Sequence, residues 1–156
     1  MIYSSACSYA IRAMTLLATV RPDGYVLMDE LCSDNDLPRH FVAKIFQGLV
    51  HDGLLKSAKG RGGGFALARP ASRITLYHIV AAVDGEEHFE ECVVGMTRCN
   101  DRQPCPQHDE FKAVRARIVD FLKGTTLQKM SGTFERKMNL IGKRVRKPKS
   151  RSKPVR

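Results

Sequence analysis

Four glycines in five positions, Gly60-Arg61-Gly62-Gly63-Gly64, separate two short apolar segments at 54–58 and 65–68. Glycine costs a helix interior about 1 kcal/mol relative to alanine, so this stretch does not continue a helix. Glycine belongs where the backbone takes a positive φ or approaches another chain closely. The run therefore predicts a β-hairpin with a glycine-rich tip.

What precedes the hairpin is helical. Tyr9, Ala10, Ala13, Met14, Leu16, Leu17 and Val20 recur at helical spacing and predict a helix over 4–20. Arg21-Pro22-Asp23-Gly24 is turn chemistry and stops it. A short helix over 28–33, with Leu27, Leu31 and Cys32 inward, is followed by the turn Asp34-Asn35-Asp36. A second helix is expected over 38–52, opened by Pro38, whose fixed φ suits a first helical position. Gly53 closes it. Its apolar stripe is Phe41, Val42, Ile45, Phe46, Leu49 and Val50; Arg39, His40, Ala43, Lys44 and Gln47 form the other face. Helix, short helix, turn, helix and hairpin, in that order, describe a winged helix-turn-helix. The expected fold class is mainly α with a small β wing.

In that arrangement the second helix of the motif enters the major groove. Arg39, His40, Lys44 and Gln47 supply a guanidinium fork suited to guanine, an imidazole, a phosphate-seeking ammonium and an amide able to pair with adenine. Arg61 at the wing tip is placed to enter a minor groove. Gly62, Gly63 and Gly64 allow close backbone approach to phosphate, and Lys56 and Lys59 flank them as positioning contacts. The plainer readings are a solvated helix face and a flexible turn. A nucleotide phosphate loop fits less well, because a strand follows here where that motif requires Gly-Lys-Ser/Thr opening a helix.

The formal net charge of +10 needs locating. Residues 136–156 carry ten Lys or Arg and no acid, so the body is balanced and the whole excess sits in the tail. Within the body, 35–75 holds seven Lys or Arg against Asp36 and Asp52, whereas 84–91 holds five acids and neither Lys nor Arg. A length of 156 residues fits one domain with an appended element. No apolar stretch approaches a membrane span, and nothing resembles a leader. The chain is expected to be cytoplasmic, where thiols stay reduced.

Beyond the hairpin, a helix is expected over 74–83, a longer one over 107–123 on Phe111, Val114, Ile118, Phe121 and Leu122, and a weaker one over 125–141. Between them lies Cys92-x6-Cys99-x5-Cys105-x2-His108 in a turn-rich stretch. Thiolate and imidazole suit iron–sulfur clusters or zinc. Three small buried residues beside a surface histidine, or a disulfide with one odd thiol, are the competing readings.

With these residues in view the chain resembles the Rrf2 (Rrf-two) family of bacterial transcription regulators. The resemblance rests on Tyr9-Ala10, the stretch F-Q-G-L-V-H-D-G-L at 46–54, the wing G-R-G-G-G-F, Ile79-Val80-Ala81-Ala82-Val83-Asp84-Gly85 and the spaced cysteines, and it spans about 1–130. It implies a homodimer on a double-stranded DNA operator, with the helix over 107–123 crossing its counterpart. It also implies an iron–sulfur cluster, taken as [2Fe–2S], on Cys92, Cys99 and Cys105. Within the family the IscR-like branch places a histidine three positions after the last cysteine, which is His108. Another branch uses a carboxylate from the first helix, where this chain has Ser8.

The expected organisation is a DNA-binding domain over 1–83, a cluster-binding loop over 84–106, a dimerisation helix and following segment over 107–141, and a disordered basic tail over 142–156. The expected function is a sequence-specific transcriptional regulator sensing iron–sulfur status, redox stress or nitric oxide. The alternative is a cluster-free or zinc-binding thiol regulator. No membrane and no small-molecule substrate are expected. No nucleophile–base or carboxylate pair suggests an enzyme. His51 and His78 are expected at the surface or satisfied on a helix, His88 solvated, and Cys7 and Cys32 inert in a helix core. The tail is expected to add salt-sensitive DNA affinity.

Overall fold

The computed structural model describes residues 2–33, 35–96, 100–142 and 145. Helix α1, Ser5–Val20, is the central element and lies against α2, α3, α4, α6 and the wing, whose ranges follow. Its start is fixed from both sides. The Ser4 hydroxyl accepts from Cys7 N–H at 3.0 Å, and the Asp84 carboxylate accepts from Ser4 N–H at 2.8 Å and from the Ser4 hydroxyl. A serine cap contributes about 0.5–2 kcal/mol, and here it also ties the chain start to a residue eighty positions away.

Helices α2 (Met28–Cys32) and α3 (Arg39–His51) form the helix-turn-helix. Val42, Phe46 and Leu49 of α3 are buried against α1 and α4, as their spacing predicts. Fully burying a side chain such as Phe46 stabilises the fold by roughly 1.5–3 kcal/mol. Two expected inward residues are corrected. Phe41 is 42% exposed and leans edge-on against the Tyr9 ring at 5.7 Å, and Leu27 is also 42% exposed. Leu27 precedes α2, and the helix turns Met28 inward in its place.

Strands β1 (Leu55–Ala58) and β2 (Gly64–Leu67) pair antiparallel, with Leu55 opposite Leu67 and Ala58 opposite Gly64. Val26 extends the ribbon, exchanging backbone hydrogen bonds with Phe65 at 2.9 Å in both directions. Phe65 meets Phe46 edge to face at 5.2 Å and so seats the wing on α3.

A 3-10 turn, Ala71–Arg73, leads to α4 (Leu76–Asp84), which Thr75 caps by accepting from His78 N–H at 3.3 Å. Another 3-10 turn, Glu86–Glu90, carries three of the five acids of 84–91. Helix α5 is His108–Gly124 and α6 is Leu127–Leu140. At the junction Leu76 N–H donates to Thr125 O at 2.9 Å and Leu127 N–H to Ile74 O at 2.7 Å. This clasp sends α6 back along α1, and Leu122 and Leu127 are fully buried in the same core as α1. The weak periodicity at the end of the chain is thus a full helix once α1 supplies the apolar partner. Of the tail beyond Gly142, Val145 is the described residue, and it rests against the core; the remaining basic tail lies outside the described residues.

Candidate nucleic-acid interface and cysteine loop

His40, Lys44 and Gln47 are exposed along one side of α3, opposite the buried Val42, Phe46 and Leu49, while Arg39 is exposed because it opens the helix, although it lies three and seven positions before Val42 and Phe46. The helix period separates the two sets. Arg39 is not a free-standing cation. It makes an ion pair with Asp29 of α2, linking the two helices of the motif at the point where α3 begins. Sequence reasoning missed Asp29, since ten positions and a turn separate the partners.

Lys56, Lys59 and Arg61 are exposed on the wing. The glycines have a second task there. A Cβ on Gly63 would lie 2.3 Å from Ala58 O, and one on Gly64 would lie 2.2 Å from Val26 O at a backbone φ of +122°. Both positions close the ribbon against its neighbours and tolerate no side chain. Gly62, with φ +80°, turns the tip.

Two members of the expected donor set are buried beside the start of α5. Cys105 and His108 are buried, 9% and 5% exposed, on either side of the start of α5, and His108 N–H donates to Cys105 O at 2.9 Å. Cys92 is half-buried at the far end of the loop. Cys99 lies outside the described residues. Among the described residues no group of three His, Cys, Asp or Glu is gathered as a metal site. Thiol and imidazole are donor types that suit a soft metal centre, and Cys105 and His108 lie three residues apart at the start of α5.

His108 is oriented by Asp101, which the sequence marks only as part of the turn-rich loop. Its Nε2 lies 3.0 Å from Asp101 Oδ1, which also accepts from Lys112 Nζ at 2.8 Å. The Lys112 ammonium first, and His108 second, hold the Asp101 carboxyl below its usual range. An ionised carboxylate only accepts. The ring nitrogen Nε2 therefore donates to that oxygen. The His108–Lys112 spacing of four places both on one helix face; nothing in the sequence paired Asp101 with them. Asn100 shapes the approach, its Oδ1 accepting from Arg102 N–H at 3.0 Å and Gln103 N–H at 2.9 Å.

The remaining candidates sort by burial. Cys7 is fully buried, and burial, with the Asp84 carboxylate second, pushes its thiol up to about 12. Burial also raises Cys32, which Arg39 partly offsets. Neither is a thiolate at neutral pH. His78 is satisfied on α4, its Nδ1 accepting from Thr75 N–H at 3.1 Å. His88 departs from the expected solvated state: its side chain is 21% exposed, its Nε2 is 2.9 Å from Ile2 O and its Nδ1 is 3.4 Å from Glu91. It is half-covered because the chain start folds over the acidic turn.

Residues 3–133 match the family model Rrf2, described as an iron-dependent transcriptional regulator. The chain belongs to the Rrf2 family. An HTH-type transcriptional regulator of Aquifex aeolicus is 32% identical over 138 residues, covering 87% of this chain and 95% of that protein. The HTH-type transcriptional regulator IscR of Pectobacterium carotovorum is 28% identical over 127 residues, covering 81% of this chain and 77% of that protein. Among solved structures, CymR (YrzC), the global cysteine regulator of B. subtilis, superposes with a TM-score of 0.69 at 21% identity, covering 83% of this chain and 95% of that one. T. potens IscR superposes at 0.68 and 22% identity, covering 86% and 88%. This Rrf2 chain thus has the winged-helix fold and the character of an HTH-type transcriptional regulator, and it resembles the IscR-like branch. Among the described residues no helix is long and apolar enough to cross a membrane.

Proposed function

We propose that this Rrf2 regulator binds operator DNA as a homodimer and holds an iron–sulfur cluster, of the [2Fe–2S] type, on Cys92, Cys99, Cys105 and His108. The observation that carries the reading is the burial of both His108, the first residue of α5, and Cys105, three residues before it. Burial of a thiol and an oriented imidazole within one turn suits ligation better than surface solvation. A bound cluster would supply chemistry responsive to iron supply, oxidants or nitric oxide.

The residues around it then have definite tasks. Asp101 and Lys112 hold the imidazole plane. His108 begins α5, so its position sets where that helix starts. Val114 and Phe121, seven positions apart on α5, are 47% and 55% exposed. They lie on one helix face and suit burial against the same helix of a second copy. The α5 position is in this way joined to the spacing of two α3 helices. Arg39, His40, Lys44 and Gln47 read the major groove, while Lys56, Lys59, Arg61 and the backbone of Gly62 to Gly64 hold phosphate and minor groove. Cluster occupancy selects which operators the dimer binds.

Oxygen-free purification followed by visible absorption and iron and acid-labile sulfide analysis tests this. The expected material is coloured, with iron and sulfide in equal amounts. Colourless protein carrying stoichiometric zinc, or no metal after reconstitution, would leave the thiol regulator as the correct reading.

A further inference from the structure

The cysteine loop runs from the 3-10 turn after α4 to the start of α5, and α5 grips it at both ends. His108, Lys112 and Arg115 are spaced by four and three positions and so lie on one face of α5. His108 and Lys112 hold the later half of the loop through the Asp101 carboxylate. Arg115 reaches the other end, where its Nη2 donates to Glu91 O at 2.8 Å.

That oxygen belongs to the peptide group joining Glu91 to Cys92. The following peptide group is fastened as well. Gly95 N–H donates to Cys92 O at 2.9 Å, across a turn in which Gly95 has φ +70°. Peptide groups are planar, so a residue has two soft backbone dihedrals. With the plane on either side held, those of Cys92 are set, and with them the direction of its Cα–Cβ bond.

Packing does less at this end of the loop. Val93, Val94 and Met96 are exposed. A cavity of about 230 Å³ is lined by Cys92 and Val93 on one side and by Phe111, Ile118 and Val119 of α5 on the other. Arg115 is half-buried in the same wall, its guanidinium carbon 5.3 Å from the centre of the Phe111 ring. An aromatic face attracts a cation, so the ring steers the guanidinium, and a bond from a charged donor to a carbonyl is stronger than a neutral one.

We propose that Arg115 is a positioning residue for Cys92. Without touching the metal, it holds the first cysteine of the loop to the face of α5 that carries His108. The assignment rests on Cys92 being a ligand, as the cluster reading requires. Because His108 and Arg115 share one helix, a centre bound in the loop is coupled to α5 at two points, and a shift of α5 moves both ends of the loop together.

The test is an oxygen-free titration of the reduced, metal-free full chain with cobalt(II), whose absorption reports thiolate ligands. It compares wild type, Cys92→Ser, Arg115→Ala and Arg115→Lys. Cys92→Ser should lose part of the thiolate-to-cobalt absorption. Arg115→Ala should lose the same part at limiting cobalt and bind about 10–100-fold more weakly than wild type. Arg115→Lys keeps a donor for the carbonyl and should recover some of both. The urea midpoint of the metal-free chain should not change in either Arg115 variant. If Cys92→Ser weakens cobalt binding and Arg115→Ala matches wild type, the positioning role is overturned while ligation by Cys92 stands. If Cys92→Ser binds cobalt as wild type does, Cys92 is no ligand, and the cluster reading falls together with the role of Arg115. Equal loss in both Arg115 variants with a lowered urea midpoint would make Arg115 a general support of the fold and would also overturn the proposal.

Discussion

His108 Nε2 and Asp101 Oδ1 face each other at 3.0 Å, joining the first residue of α5 to the loop before it. Lys112, one turn along α5, fastens the same carboxylate oxygen at 2.8 Å. The imidazole plane is therefore set by residues on both sides of the loop-to-helix junction. Removing such an orienting carboxylate typically costs about 10–100-fold in metal affinity. Asp101→Ala should shorten the anaerobic lifetime of the cluster absorbance under chelator by that order while leaving the helical circular dichroism intact. An unaltered lifetime would assign the fourth ligand elsewhere.

Asp29 holds Arg39 by an ion pair across the turn of the helix-turn-helix. If Arg39 reads a base, Arg39→Ala should cost roughly 1–3 kcal/mol on the cognate operator and relax preference at one base pair. Lys56→Ala and Lys59→Ala should instead weaken all sequences alike and each lower the salt slope by about one. Gel shifts over a salt series distinguish the patterns. Uniform loss for Arg39→Ala would make it a phosphate contact.

Val114 and Phe121 expose apolar surface on α5 while Leu122, on the neighbouring face, is wholly buried. A buried charge without a partner is strongly unfavourable. Phe121→Asp should give monomers by sedimentation equilibrium and reduce operator affinity, with the fold retained. A dimer of wild-type strength would place the interface on another face.

Gly48 and Gly64 predict opposite responses to alanine. Gly48 has nothing within 4 Å of its missing Cβ and lies in α3, so Gly48→Ala should stabilise by about 0.5–1 kcal/mol. Gly64 has φ +122° and a neighbouring carbonyl oxygen 2.2 Å from its missing Cβ. Gly64→Ala should destabilise by roughly 1–3 kcal/mol, the range of strained backbone positions. Urea unfolding measures both; equal effects would refute the wing geometry.

His78 accepts from Thr75 N–H, and burial, then Arg69, lowers its pKa from 6.5. The unfolded chain therefore binds this proton more readily than the folded one. The contribution is fully present above pH 6.5 and is lost as pH falls through the lower folded value. His78→Gln should flatten the stability profile on the acid side of neutrality, as read by chemical denaturation at several pH values. An identical profile would assign the acid sensitivity to other groups.

The local elements were readable in the chain because each has a short-range cause. Helical spacing, Gly53, Pro38 and the glycine run place α1, α3 and the hairpin to within a residue or two. The stripe of Val42, Phe46 and Leu49 separates itself from His40, Lys44 and Gln47 by periodicity alone. Phe41 and Leu27 escaped that logic because they sit at helix starts, where the next element decides what is covered.

Side-chain partnerships across large sequence distances have no periodic signature. The Ser4–Asp84 grip, the Asp29–Arg39 pair, Asp101 on His108 and the return of α6 along α1 all depend on packing. The order of elements and the kinds of donor in the loop were determined by the sequence, since backbone preference and ligand chemistry are properties of individual residues. Which loop residues are buried, and which carboxylate meets His108, only the tertiary structure decided, because burial and hydrogen-bond pairing belong to neighbours brought together by the fold.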